Sequence, residues 1–506
     1  MLIRPITERY SDQISGIISC FDRVVIKGTL QCFGYPHEMT SYLFRNNIKI
    51  FDFPKFADSL RMKLRENAEK IAVENGLEIE YIRKKNFRKE ERIKEIIGKR
   101  GDHPGLVHIY SAMEPCPAYK PWHNKLTHKT FLKPSTGKCI NYYFYFIDED
   151  LGLCYVRVPT WAPFRLQIYF NGHNLLASKL EQNNIKYQML ENAFTNIEDF
   201  QIAQKLSDEI SVEKLHSILN RFAELYCPIG KEYGLAFHWS IFQSEYATDI
   251  IFTRQEYLQA IYENLTYSAI HTIKPDNIAT FLGRKLHPNY EDEMGNRYNV
   301  RIEGTRVKHS MGQASIKMYD KFGQILRIET TTNDVSFFKH YREVRHRDGT
   351  TEMKTAPMRK SIYSLTPLRK ILAACNSRYL DFISTIEDNQ VGTKKLDKIS
   401  KPVTENNRNY KGFNFFNQID LKLFEIIVRG EFNIYGFQNR EIRRYLKKTS
   451  SQACRILKRL RVHGLIKKIS HSYKYYLTKL GRQVIATGLK LKEFVIIPEL
   501  TLAFEG

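Results

Sequence analysis

Apolar residues recur at two spacings along the chain, and each spacing predicts its own kind of element. Over Phe56–Glu74, the residues Ala57, Leu60, Leu64 and Ala68 fall three or four apart, which places them on one face of a helix. The same spacing predicts helices over Thr7–Ile17, Asn174–Gln182, Ile197–Leu206, Val212–Leu225, Arg254–Ile273 and Leu365–Leu380. Elsewhere the period shortens to two, or the run becomes apolar throughout. Strands are expected there, over Asp22–Thr29, Leu106–Ala112, Ile140–Ile147, Cys154–Val158 and Arg165–Phe170. The stretch AFHWSIFQSEYATDIIF predicts two short strands around Gln243-Ser244, with His238, Glu245 and Asp249 as its polar members. Ser315–Asp320 and Gln324–Thr330 predict a hairpin across Lys321-Phe322-Gly323. Alternation along its strands puts Lys317, Tyr319, Arg327 and Glu329 on one surface, with Lys308 and His309 on the strand leading in.

After Lys394–Gly412, which is polar, basic and reads as a linker, the elements become short. Asp420–Arg429 predicts a helix before Gly430. Asn439 caps a second helix whose inner face is Ile442, Tyr445 and Leu446. Ser450 and Ser451 cap a third, with Ala453, Ile456, Leu457 and Leu460 inward and Gly464 ending it. Two strands, Leu465–Ile469 and Tyr473–Leu477, then close across Ser470-His471-Ser472, and Val484–Lys492 forms a last helix. This order is that of a winged helix-turn-helix. The fold class expected is therefore α+β and multidomain, a mixed α/β N-terminal region with a C-terminal winged helix. Five segments follow from the composition shifts: 1–104, 105–235, 236–345, 346–412 and 413–506.

Charge narrows the partner. The 506 residues carry a formal net charge of +23. Between Arg440 and Arg482 there are 14 Lys and Arg against one acid, Glu441. That density suits a polyanion. The candidate contacts are Arg440, Arg443, Arg444, Lys447, Lys448, Ser451, Gln452, Arg455, Lys458, Arg459, Arg461, Lys467, Lys468, His471 and Lys474. Arg83–Arg100 is a second charged stretch, with Phe87 available to stack on a base. No apolar run of membrane length is seen, so no membrane partner is expected. The eight cysteines include no C-x-x-C pair, and a reducing cytoplasm is the expected compartment. Cys116, His123, His128 and Cys139 fit no common zinc spacing, and a basic loop is the simpler reading of that stretch. Nucleotide-binding P-loop, H-E-x-x-H, G-x-S-x-G and dinucleotide signatures are absent, which argues against a motor, those hydrolases and a dehydrogenase.

Two local resemblances add to this. HGLIKK…YKYYLTKLGRQVI is similar to the wing and closing helix of MarR-type regulators. The resemblance implies that Ser450–Arg461 enters the major groove and His471–Lys474 forms the wing tip. It covers roughly 80 residues by this reading of the module. The phrase SIKMYDKFGQILRIE resembles a strand pair of rolling-circle replication initiators and filamentous-phage nicking proteins. That resemblance implies a metal-dependent nickase with a tyrosine nucleophile. The paired histidines around one apolar residue that go with it are not present here.

The candidate chemistry follows. Tyr319 would attack phosphorus, and Lys317, Arg327 and His309 would support the charge that develops. Asp249, Asp320, Glu329, Asp22 and Glu114 are the candidate ligands for Mg²⁺ or Mn²⁺. An acid at the start of an early strand is where RNase H-like nucleases keep a metal-binding carboxylate, and a cap or an ion-pair partner for Arg23 is the commoner role of a lone Asp such as Asp22 there. The expectation is a DNA-binding protein of the mobile-element or plasmid type that nicks or transfers strands, a metal-dependent endonuclease. A transcriptional regulator with a large sensory region and an RNA-binding protein remain the alternatives. DNA is the expected partner and RNA the other, and winged helices commonly pair, so a homodimer is expected.

Overall fold

The computed structural model describes residues 5–84, 86–286, 294–301, 304–387, 399–469 and 472–497. His471 therefore lies outside the described residues. The strands are β1 (Ile14–Leu30), β2 (Ile79–Tyr81), β3 (Gly105–Asn124), β4 (Lys129–Asp148), β5 (Gly152–Pro159) and β6 (Leu166–Phe170), then a separate hairpin β7 (Tyr187–Leu190) and β8 (Ala193–Ile197). β9 (Phe237–Phe252), β10 (Met294–Arg301), β11 (Gly304–Met311), β12 (Ala314–Lys321) and β13 (Ile325–Thr332) follow. Eleven of these form one mixed sheet, in the order β10-β11-β12-β13-β9-β1-β6-β5-β4-β3-β2. The chain divides into two compact units, bounded as Met1–Ile17, Ala247–Thr330 and Ile371–Gly506 for the first, and Ile18–Tyr246 and Thr331–Lys370 for the second. β1, β9 and β13 each give residues to both.

In the second unit, β4 explains why an apolar run need not alternate. Its even face, Phe144 and Phe146, packs on the helix Val212–Tyr226, with Phe144–Tyr226 rings 4.6 Å apart and Phe146–Phe222 rings 4.7 Å apart. Its odd face, Tyr143 and Tyr145, packs under the helix Lys89–Arg100 through Ile93 and Ile96. A strand covered on both faces is apolar on both. The segment 116–139, expected as a loop, is instead the outer part of a long hairpin. Met113–Asn124 pairs with Lys129–Ile140 without a break. Cys116 is buried, whereas His123 lies seven residues further along β3 and is exposed at the hairpin end, so these residues form no zinc set.

Three further expectations change. The stretch 237–252 is one unbroken strand, β9, and not two. The helix expected over Thr7–Ile17 is only Ile6–Arg9, and β1 begins at Ile14. Ser19 on β1 is bonded from another element. Its backbone N–H and carbonyl both bond the Gln204 side chain, so polar backbone there is satisfied from outside the ladder.

In the first unit, β12 and β13 turn through Phe322 and Gly323, both at positive φ (60° and 72°), the geometry a tight hairpin needs. The helix Gln255–Thr272 sends the Tyr262 hydroxyl to the Asp320 backbone N–H, which donates to it at 3.0 Å. The residues of the expected linker from 399 onward are not free chain. Ile399 is buried, Val403–Glu405 pairs with Arg408–Tyr410, and the Phe413 N–H donates to the Ile399 carbonyl. The C-terminal helices are Gln418–Ile427, Gly430–Tyr435, Asn439–Leu446, Ser450–Val462 and Lys479–Lys490, with a short ladder between Ile466–Lys468 and Tyr475–Leu477. They close over Phe424, Ile427, Phe432, Phe437, Leu457 and Ile485. The caps sit one residue earlier than expected. At the helix from Asn439 the Glu441 carboxylate accepts the Gln438 N–H at 2.7 Å, and at the helix from Ser450 the side chains of Thr449 and Gln452 each accept the other's backbone N–H.

Among the described residues no helix is long and apolar enough to cross a membrane.

Candidate metal centre

Three neighbouring strands, β13, β9 and β1, each bring one carboxylate to the same place. Glu329, Glu245 and Asp22 each offer an oxygen, and the three oxygens lie within 4.8 Å of one another. Asp22 and Glu329 are buried and Glu245 is half-buried. Three carboxylates this close repel, and desolvation sharpens the repulsion. The group could bind a metal ion, and an all-oxygen donor set suits a hard divalent cation.

Each ligand is held. Asn192 donates to the Asp22 carboxylate at 2.7 Å, and His173 Nδ1 lies 3.3 Å from the same oxygen. His173 sits there because Asn171 caps its helix, Gly172–Gln182, accepting the His173 N–H at 2.7 Å. Lys317 donates to Glu329 Oε1 at 2.5 Å, and the Tyr319 hydroxyl donates to Glu329 Oε2 at 2.8 Å. Lys317 and Tyr319 therefore share a surface with Glu329, as alternation along the hairpin requires. The Glu245 charge bears on Arg23, whose guanidinium pKa is raised by Tyr155, Tyr169 and Glu245 against the cost of burial.

The remaining candidates are not among the three clustered carboxylates. Arg327 and Asp249 form a bidentate pair with each other, both contacts 2.6 Å and both side chains at or below 1% exposure. Asp249 is thus committed to Arg327 and is not one of the three clustered carboxylates. His309 is fully buried. Its ring nitrogens contact Asn296 Oδ1 at 2.8 Å and the Tyr379 hydroxyl at 3.2 Å, and burial holds its pKa down to about 3. A neutral, doubly satisfied imidazole cannot lend charge to a phosphate. Glu114 accepts from Tyr143 at 2.7 Å and from Arg157 at 2.8 Å, with Lys89 3.7 Å away. Those donors hold its carboxyl below the usual range against burial. Asp320 is buried but is not one of the triad. Glu245 is the member of this group that the sequence offers only as a polar residue of its strand, beside Asp249, and not as a metal candidate.

Among the basic candidates, Arg440, Arg443, Arg444, Lys447, Lys448, Arg455, Arg461, Lys467, Lys468 and Lys474 are exposed, as are Ser451 and Gln452. Arg459 is not available. It bonds Asp420 at 2.7 and 3.0 Å and the carbonyls of Lys411 and Gly412, and stacks 3.8 Å from the Phe413 ring centre. Lys458 pairs with Glu405.

Comparison of the chain with family models, with curated proteins and with solved structures gives no match.

Proposed function

We propose that this chain is a metal-dependent DNA-processing protein that cuts or transfers a strand at the Asp22–Glu245–Glu329 centre. The convergence of three carboxylates from adjacent strands carries the reading. A bound Mg²⁺ or Mn²⁺ would polarise the scissile phosphate and offset its charge. The chain's own residues supply the rest. The Tyr319 oxygen forms a bond to phosphorus as the bond from phosphorus to the leaving sugar oxygen breaks. The phenol proton passes to Glu329, which it already bonds, and the leaving oxygen takes a proton from Lys317.

The segment 413–506 is the targeting module in this reading, a winged helix-turn-helix. Its helix order, the short ladder after Gly464 and the row of exposed cations support it. The helix Ser450–Val462 lies in the major groove and Arg455 and Arg461 reach phosphate or base edges.

The test is incubation of the full chain with labelled supercoiled and single-stranded DNA, with and without Mg²⁺ or Mn²⁺, resolved before and after protease treatment. Metal-dependent nicking with label kept on protein is expected. Asp22→Asn, Glu245→Gln and Glu329→Gln should each lower the rate by at least about a hundredfold. Tyr319→Phe should abolish the adduct and leave duplex binding intact. A nick with no adduct makes water the nucleophile at the same metal. A gel shift with no nicking under any metal sinks the cleavage reading and favours a regulator.

A further inference from the structure

The ladders of the second unit set another group of residues in rows. Lys27, Gln167, Arg157 and Tyr143 stand side by side across β1, β6, β5 and β4. The next row on that face is Val25, Tyr169, Tyr155 and Tyr145. Tyr155 and Tyr169 stack at 5.1 Å and 18°, and the Arg23 guanidinium lies 5.1 Å from the Tyr169 ring centre.

Lys27 is the member that the fold does not balance. It is half-buried, its ammonium 3.3 Å from the centre of the Phe242 ring. Burial first, and then the charges of Arg165, Arg157 and Lys360, push its pKa down to about 8. Arg157 has Glu114 as a partner, and Lys360 has Asp334. Arg165 donates to the Gly34 carbonyl. Among the described residues no carboxylate pairs with Lys27 or Arg165. Gathering like charges at a half-desolvated place costs stability, so the balancing charge comes from a ligand. The ring beside them is open, since Phe242 is 41% exposed. A cation pair next to open and stacked aromatic rings matches a phosphate with an unpaired base beside it; a duplex offers no free base face.

We propose that Lys27, Arg165 and Phe242 form a subsite for single-stranded DNA, with one phosphate between the two cations and one base against the ring. The proposal rests on the strand-processing reading and extends it to the substrate. Lys27 and Arg23 stand four residues apart on β1, about 13 Å at the rise of a strand. The Glu245 charge bears on Arg23, so a strand laid along this row of β1 runs toward the carboxylates.

The experiment uses the full chain in EDTA, where binding is read without cleavage. Lysines are sparsely acetylated alone or with a short single-stranded DNA, the same sequence as RNA, its duplex, or inorganic phosphate, and the Lys27 peptide is quantified by mass spectrometry. Single-stranded DNA should slow Lys27 modification roughly tenfold at saturation, and duplex and inorganic phosphate at equal phosphate should not. Lys27→Gln should weaken single-strand binding by roughly tenfold and reduce the salt slope by about 0.7. Lys27→Arg should restore both, and duplex binding should stay unchanged in both variants, which also shows that they fold. Protection by RNA alone, equal protection by inorganic phosphate, or unchanged labelling and affinity would each overturn the proposal. The cleavage reading fails separately, through absence of metal-dependent nicking in a protein whose Lys27 is still protected.

Discussion

Asp249 and Arg327 show how two ionisable residues can belong to structure when their types suggest chemistry. Each is the other's partner in a core that excludes water, so neither can be changed alone without leaving a buried charge. Asp249→Asn should cost about 3–5 kcal/mol in urea unfolding. The pair Asp249→Leu with Arg327→Met should recover most of that loss, because it removes both charges; no recovery would mean that neighbours depend on the pair's hydrogen bonds. His309 gives a pH test of the same kind. Its imidazole titrates near 6.5 when unfolded and at about 3 when folded. The unfolded chain therefore takes up a proton that the folded chain refuses. The stability from this residue is full above pH 6.5 and is lost as pH falls toward 3. The loss approaches about 1.4 kcal/mol per pH unit within that window. His309→Gln should flatten the fall of the denaturant midpoint between pH 6.5 and 4 relative to the parent. An equally steep fall in the variant would assign the acid loss to other groups.

At the scale of elements, the helix Ser450–Val462 separates two uses of arginine. Arg459 fastens this helix to Asp420 and to the Lys411 and Gly412 carbonyls, while Arg455 is exposed. Arg459→Met should lower stability by about 2–3 kcal/mol, since it strands the buried Asp420 and two carbonyls. Arg455→Met should leave the melting curve in place and lower the salt slope of duplex binding by about 0.9. The opposite assignment would reverse the two results. The sequence could not separate these arginines, because spacing shows only which helix face a residue takes. Partners from elsewhere in the chain, here Asp420 and the carbonyls of 411–412, decide what it does there. The same holds for the triad. Asp22 and Glu329 were legible as acids on strands. Glu245 was legible only as a polar member of a strand pair broken at Gln243-Ser244, whereas β9 runs straight through that point. The long arm of β3 and β4 was missed for a related reason. Its prolines, Pro115, Pro117, Pro121 and Pro134, and its lysines suggest a loop, but nineteen registered pairs from Gly105 to Asn124 hold it as a ladder. Helix lengths were read well where buried residues repeat over several turns, as in Phe53–Glu74 and Val212–Tyr226.

At the scale of the whole chain, the C-terminal segment is built into a unit with residues far from it in sequence, so it does not behave as an appended module. Within the first unit, Gly430 lies against the Asp276 carbonyl and Thr280, so close that any Cβ would collide with backbone. Lys274 pairs with Glu493 at 3.0 Å, and the Arg378 guanidinium donates to the Phe281 carbonyl at 2.7 Å. Contacts this far apart in sequence make unfolding of the segment cooperative with that of β11 to β13. Gly430→Val should therefore loosen both at once. Hydrogen exchange should show amides of Phe424 and Ile427 and amides of Ile316 and Ile328 losing protection by similar factors. Loss confined to 413–497 would mean that the segment opens on its own. In that case truncation after Gly412 would leave a folded remainder with the metal centre intact. Cooperative loss predicts instead that the truncated chain is unstable, and that metal-dependent cleavage disappears along with duplex binding.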